Sequence, residues 1–210
     1  MLKEGGIKLV VYKDNEDPWR MDVLKFWEKE GEFECLSDDE AREFRGYPES
    51  ENPNVSVIEN GELRTKVQAI MKYKKSYAVI TYIVSKESPY LDIEIKLLTN
   101  DVNKLIKLTF DTKLEKTAKT YVQQMFGNEE AINDGSEFTF QKWCALKDQE
   151  NSLTVINNGI YGGSSENEKL SVTLLRTAVY SAHPVVVDGV TREIAPTDRV
   201  HEHLDIGERF

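Results

Sequence analysis

Alternation of apolar and charged residues constrains this chain most: Leu91, Ile93, Ile95 and Leu97 stand against Asp92, Glu94 and Lys96. Successive side chains of an extended strand point to opposite faces, so this pattern gives one face that packs and one that meets water. A helix would scatter the same residues around its circumference. The period recurs. Leu63, Thr65, Val67, Ala69 and Met71 oppose Arg64, Lys66, Gln68 and Lys72, with Ile70 as the exception, and Ile106, Leu108 and Phe110 oppose Lys107, Thr109 and Asp111. Ile7 to Tyr12 is a short apolar run, and Tyr77 to Val84 is more uniformly apolar, which predicts a strand buried further. Polar turns separate these runs. From Gly31 to Gly61 the chain is acidic and broken by Gly46, Pro48 and Pro53, and it reads as mostly loop with one helical turn near Asp38 to Phe44. Many strands with almost no amphipathic helix predict a mainly β chain, a large antiparallel β-sandwich over residues 1–210.

The second half carries the most distinctive stretch, LTVINNGIYGGSSENEKLSVTLLR from Leu153 to Arg176. Leu153 to Ile156 and Leu170 to Leu175 read as two strands of a hairpin, and the Asn- and Gly-rich segment between them as a structured surface loop. That loop presents Tyr161 beside Gly162 and Gly163, where a ligand or a neighbouring backbone can approach closely because glycine has no Cβ. Thr117 to Phe126 fits a strand or a short helix ended by Gly127. Glu137 to Leu146 carries Phe138, Phe140 and Trp143, and its Gln141-Lys142-Trp143 segment reads as an edge approaching a core. The last residues stop at Phe210 as though a final strand were cut.

Charge and cysteine content exclude several functions. The formal net charge is -10 and the pI about 4.9, so the overall field repels phosphate backbones and nucleic acid is not an expected partner. No run of about 18 apolar residues could span a bilayer, and the first residues lack the apolar core of a secretory signal, which predicts a cytoplasmic protein with no membrane partner. Cys35 and Cys144 lie far apart without CxxC spacing and read as free thiols.

Chemistry-bearing motifs are scarce. His201 and His203 would share one strand face with Asp205, a set that could ligate zinc, but HxH also arises in exposed strands and no fourth ligand is identifiable. The cluster Asp17-Pro18-Trp19-Arg20-Met21-Asp22 puts carboxylates beside an indole, a combination that suits a sugar's hydroxyls and C–H faces and also suits a capped turn with a core tryptophan. There is no GxSxG, HExxH, GxxxxGK[ST] or GxGxxG. Spacing alone offers no catalytic machine.

Several segments in order resemble the C-terminal half of glycoside hydrolase family 38, the α-mannosidases. VINNGIYGGSS followed by LSVTLLRTAVY resembles the family's Asn-rich turn, residue before Gly, and strand ending in Leu-Leu-Arg. Asp17 to Asp22 resembles an Asp-x-Trp-Asp segment, interrupted by Arg20, and YVQQMFG resembles a Tyr-x-x-x-Phe-Gly strand followed by a Trp-bearing segment. Asp205-Ile206-Gly207-Glu208-Arg209-Phe210 is similar to Asp-Gln-Gly-Glu-His-x-Phe.

That resemblance implies a galactose-mutarotase-like supersandwich, truncated at both ends, from a zinc-dependent retaining α-mannosidase. Nucleophile and zinc ligands would belong to an N-terminal catalytic domain absent here, so this chain would hold no cofactor and be inactive alone. Its partners would be that catalytic domain, an α-mannoside glycan and, through an exposed apolar patch, a second copy of itself. Arg176 is the first substrate-binding residue implied, Tyr161 the second, and Asp17, Trp19 and Asp22 the third group. Gly162, Gly163 and Asp205 would shape turns. A free-standing carbohydrate-binding sandwich, with Trp19 and Tyr161 as stacking platforms, and a mutarotase-like enzyme using His201 or His203 are the alternatives.

Overall fold

The computed structural model describes residues 2–14, 24–46, 53–178, 185–187, 189–192 and 208–209. In chain order the elements are β1 (Leu2–Lys13), β2 (Lys29–Glu32), β3 (Glu34–Cys35), α1 (Asp38–Phe44), β4 (Val55–Asn60), β5 (Arg64–Tyr73), β6 (Ser76–Ser85), β7 (Leu91–Leu98), β8 (Lys104–Thr112) and β9 (Lys119–Gln124). They continue with β10 (Gly127–Ala131), β11 (Asp134–Thr139), β12 (Trp143–Lys147), β13 (Ser152–Ile156), β14 (Gly162–Glu166), β15 (Lys169–Arg176), β16 (Val185–Val187), β17 (Val190–Arg192) and β18 (Glu208–Arg209). The chain is mainly β, the strand pairs with a described register are all antiparallel, and two compact units form: Met1–Gly31 with Val102–His203, and Glu32–Asp101 with Leu204–Phe210.

The first unit is a sandwich. One sheet runs β11-β14-β15-β8-β1-β2 and the other β10-β9-β12-β13. Leu9, Val11, Ile106, Leu108, Phe110, Leu170 and Val172 fall on one face of the larger sheet by register, and all are buried. Val122, Cys144 and Leu146 are buried apolar residues on one face of the smaller sheet, with β12 against β15. Removing such surface from water drives the association. Within this apolar layer one polar contact bridges the sheets: the buried hydroxyls of Thr120 and Ser165 lie 2.6 Å apart.

The second unit carries the sheet β18-β7-β6-β5-β3, with β4 also on β5. Ser37 caps α1 by a reciprocal capping box with Glu40, each side chain bonding the other's backbone N–H. Ala41 of this helix packs with Leu36 and Ile70, and Phe44 and Tyr77 flank the cluster. Ile70, the exception to the alternation, is therefore buried because its face of β5 is covered by the helix.

Several expectations are corrected. Leu153 to Ile156 and Leu170 to Leu175 are not a hairpin: β13 belongs to the four-stranded sheet and β15 to the six-stranded one. The expected loop contains β14, and Gly162 and Gly163 are strand residues that pair with Thr139 and Phe138 rather than turn formers. A Cβ on Gly163 would lie 2.7 Å from the Ser171 carbonyl and 3.0 Å from the Phe138 ring, so it is a neighbouring strand that approaches this glycine. Gly127 begins β10 instead of ending a segment. Glu137 to Leu146 is divided between β11 and β12, and β12 is central in its sheet. The stretch read as mostly loop contains β3 and β4 besides the expected helix.

Candidate functional site

The outer face of the six-stranded sheet is polar, and much of it is buried. By register, Tyr12 of β1, Leu105, Lys107 and Thr109 of β8, Ser171, Thr173 and Arg176 of β15, Ser164 of β14 and Glu137 of β11 share this face. Strict alternation would put Arg176 on the opposite, apolar face from Thr173. A bulge between Thr173 and Leu175 adds one residue to β15, so Arg176 comes to lie opposite Leu105 on the Lys107 side. Re-aiming a side chain is a common consequence of such a bulge.

Arg176 is held by two parallel bonds, Nε donating to Asp14 Oδ2 at 2.5 Å and Nη2 donating to Asp14 Oδ1 at 3.0 Å. The planar guanidinium fits a carboxylate in this fork-to-fork way. Asp14 follows β1 and its side chain is 0% exposed, while Arg176 retains partial exposure. The Phe26 ring centroid lies 5.3 Å from the guanidinium carbon. Asp14 and Phe26 thus both contact Arg176.

Beside this pair, the ammonium of Lys107, only 2% exposed, donates to Glu137 Oε1 and to Ser164 Oγ, the latter at 2.6 Å. The Tyr12 ring lies 5.9 Å from the same nitrogen. Burial pushes the Lys107 pKa down and the Glu137 pKa up, against the stabilisation each charge gains from the other, and the positive field of Arg176 also favours the Glu137 carboxylate. The smaller details fit a face built to be covered: Lys25 spans Glu166 and the Asp134 carbonyl, its nitrogen 4.2 Å from the Trp27 ring, and Leu24 accepts a backbone bond from Glu137.

Tyr161 directly precedes β14 and is exposed. Because β14 and β15 are antiparallel, it stands at the same end of the sheet as Arg176. The structure therefore brings the first two expected residues to neighbouring strand ends. Asp17, Trp19 and Asp22 lie outside the described residues, as do His201, His203 and Asp205. Among the described residues no group of three or more His, Cys, Asp or Glu side chains is disposed to hold a metal. No helix among them is long and apolar enough to cross a membrane. Cys35 and Cys144 are free, the first exposed and the second buried.

Sequence reasoning missed Asp14, Lys107, Glu137 and Ser164. Only Lys107 left a trace, as a charge in a strand whose other face is strongly apolar, and nothing in that pattern says that the charge is covered.

The profile of the Glycosyl hydrolases family 38 C-terminal domain matches residues 1–184. The chain belongs to family 38. Two solved structures share its fold, an α-mannosidase from Enterococcus faecalis V583 and a protein in glycosyl hydrolase family 38 from Enterococcus faecalis, each with TM-score 0.64 at 12% identity over 84% of this chain. The chain covers 23% of either of those proteins. No curated protein matches it by sequence. Within the family 38 match fall Asp14, Lys107, Glu137, Tyr161, Ser164 and Arg176, with the rest of the polar face just described.

Proposed function

We propose that this chain is the non-catalytic C-terminal domain of a zinc-dependent, retaining α-mannosidase, and that it supports the catalytic domain and completes the rim of the mannoside-binding site. The observation carrying this reading is the Arg176–Asp14 pair at the strand ends next to Tyr161. Arg176 is held by two parallel bonds to Asp14, and a guanidinium fixed in this way is already oriented at the strand ends, so that meeting a sugar there would cost little further side-chain freedom. Asp14 positions it, Phe26 covers one side of its plane, and Tyr161 offers an exposed ring and hydroxyl nearby. Zinc, bound by the catalytic domain, would supply the contact to the mannose hydroxyls. The residues of this chain bind and orient, and the acidic overall charge suits a neutral rather than a phosphorylated glycan.

The test is hydrolysis of an aryl α-mannoside with zinc supplied, by this chain, by the catalytic half encoded with it, and by the two mixed. Activity that appears or rises only in the mixture is expected. Hydrolysis by this chain alone would overturn the reading and return attention to His201, His203 and Asp205.

A further inference from the structure

Three two-residue hairpin tips lie wholly among the described residues and can be compared. Lys74-Lys75 joins Tyr73 to Ser76 and Asn167-Glu168 joins Glu166 to Lys169; each is polar, with its first residue at positive φ, 47° for Lys74 and 55° for Asn167. The third joins Gln124 to Gly127 and consists of Met125 and Phe126. Neither is at positive φ, and neither is a residue that tight hairpin turns favour. Turn chemistry does not account for them, and packing does not either: Phe126 is 99% exposed and Met125 74%.

The stem beneath them is braced. Gln124 Nε2 donates to Glu129 Oε1 at 2.9 Å and to the Thr139 carbonyl at 3.1 Å, and Lys119 pairs with Glu130 at 2.9 Å. Two large apolar side chains are thus held out on a braced backbone, so seating them in a pocket would cost little backbone ordering beyond that of the two side chains themselves. Aromatic anchors of this kind dominate interface energies.

The sheet edge beside the tip restricts what can seat there. β10 is an edge strand carrying Asn128, Glu129 and Glu130, all exposed. Antiparallel pairing of β10 with a second copy would set these glutamates against their counterparts, a like-charge contact that edge strands use to prevent self-association. A net charge of -10 opposes it further. More than three quarters of each matched family 38 protein lies outside the part this chain covers, which leaves ample surface for a complementary site.

We propose that the Met125–Phe126 tip is the anchor by which this domain docks onto the catalytic half of its own enzyme, entering an apolar pocket rimmed by Lys or Arg. This rests on the mannosidase-domain reading above and adds the contact point. The experiment measures binding of the 210-residue chain to the catalytic half encoded with it, using wild type, Phe126→Asp and Glu129→Lys. Phe126→Asp should bind at least about tenfold more weakly, with an unchanged melting temperature because its side chain leaves the fold's contacts intact. Glu129→Lys should bind more weakly at low salt and approach wild type as salt is raised. Equal binding by wild type and Phe126→Asp would overturn the anchor while leaving the domain reading in place. No binding by wild type would overturn both. A wild-type dimer, formed without the catalytic half and dissolved by Phe126→Asp, would make a second copy the occupant and overturn the proposal.

Discussion

Replacing Lys107 by methionine tests the electrostatics of the polar face directly. Methionine keeps much of the lysine stem's bulk, so the perturbation removes an ammonium more than it opens a cavity. Glu137, mostly buried, then loses the partner that offset its desolvation. Breaking a buried pair by removing one member costs about 3–5 kcal/mol. Glu137 can limit that cost by taking up a proton, at about 1.4 kcal/mol for each pH unit between its folded pKa and the assay pH. Its pKa is already pushed above the ordinary 4.5 by burial and would rise further without Lys107, although Arg176 still favours the charged form. Between 4.5 and that raised value the folded state holds a proton that the unfolded state has released. Stability of Lys107→Met should therefore fall as pH rises through this window and recover as pH drops toward 5. Urea unfolding midpoints at pH 5 and pH 7 measure it. The double variant Lys107→Met/Glu137→Gln should recover roughly half or more of the loss at pH 7, because no charge is left stranded. A double variant no more stable than the single one, or a single variant whose loss is the same at both pH values, would refute this account.

Arg176→Ala removes the two-pronged guanidinium partner of the fully buried Asp14 carboxylate and should destabilise the chain by about 3–5 kcal/mol in thermal or urea unfolding. Tyr161→Ala, at an exposed position, should change stability by less than about 0.5 kcal/mol, yet lower mannoside hydrolysis by the reconstituted enzyme. Gly163→Ala forces a Cβ against the Ser171 carbonyl and should cost about 1–3 kcal/mol, whereas Gly127→Ala, whose Cβ would meet nothing within 4 Å, should be nearly neutral. In native protein a thiol reagent should modify Cys35 rapidly and Cys144 only after unfolding, since burial pushes the Cys144 thiol up to about 12 and covers it. Two equally fast thiols would contradict the packing of β12.

What could be read from the sequence was whatever local chemistry determines. The period of two placed β5, β7 and β8, and Ser37-Asp38-Asp39-Glu40 carries its own helix signal because the capping box lies within four residues. β14 has no such signal. Gly162-Gly163-Ser164-Ser165-Glu166 contains no apolar residue, and it is a strand because β11 and β15 pair with it on both sides. Long-range pairing overrode local preference. Arg176 was singled out through its motif, but its partner Asp14 is 162 positions away and its facing depends on one extra residue in β15. Neither a pairing at that separation nor a bulge leaves a mark on hydropathy. Lys107 was assigned to a polar face, and the fact that this face is buried belongs to tertiary structure alone.

The hydroxyl contact between Thr120 and Ser165 bears on how the first unit chooses one arrangement among near-equals. Leucine, valine and phenylalanine packed between two sheets are indifferent to small slides, since one apolar neighbour serves almost as well as the next. A slip by one residue would leave both hydroxyls in hydrocarbon without partners, at about 1–3 kcal/mol each. The bond thus works less as glue than as a detent: it adds little to the depth of the correct alignment and raises every neighbouring one. A domain that must present Arg176 to a partner at a fixed angle would depend on that. Replacing the two hydroxyls with Val and Ala should leave a sandwich of similar stability whose sheets no longer hold a single alignment.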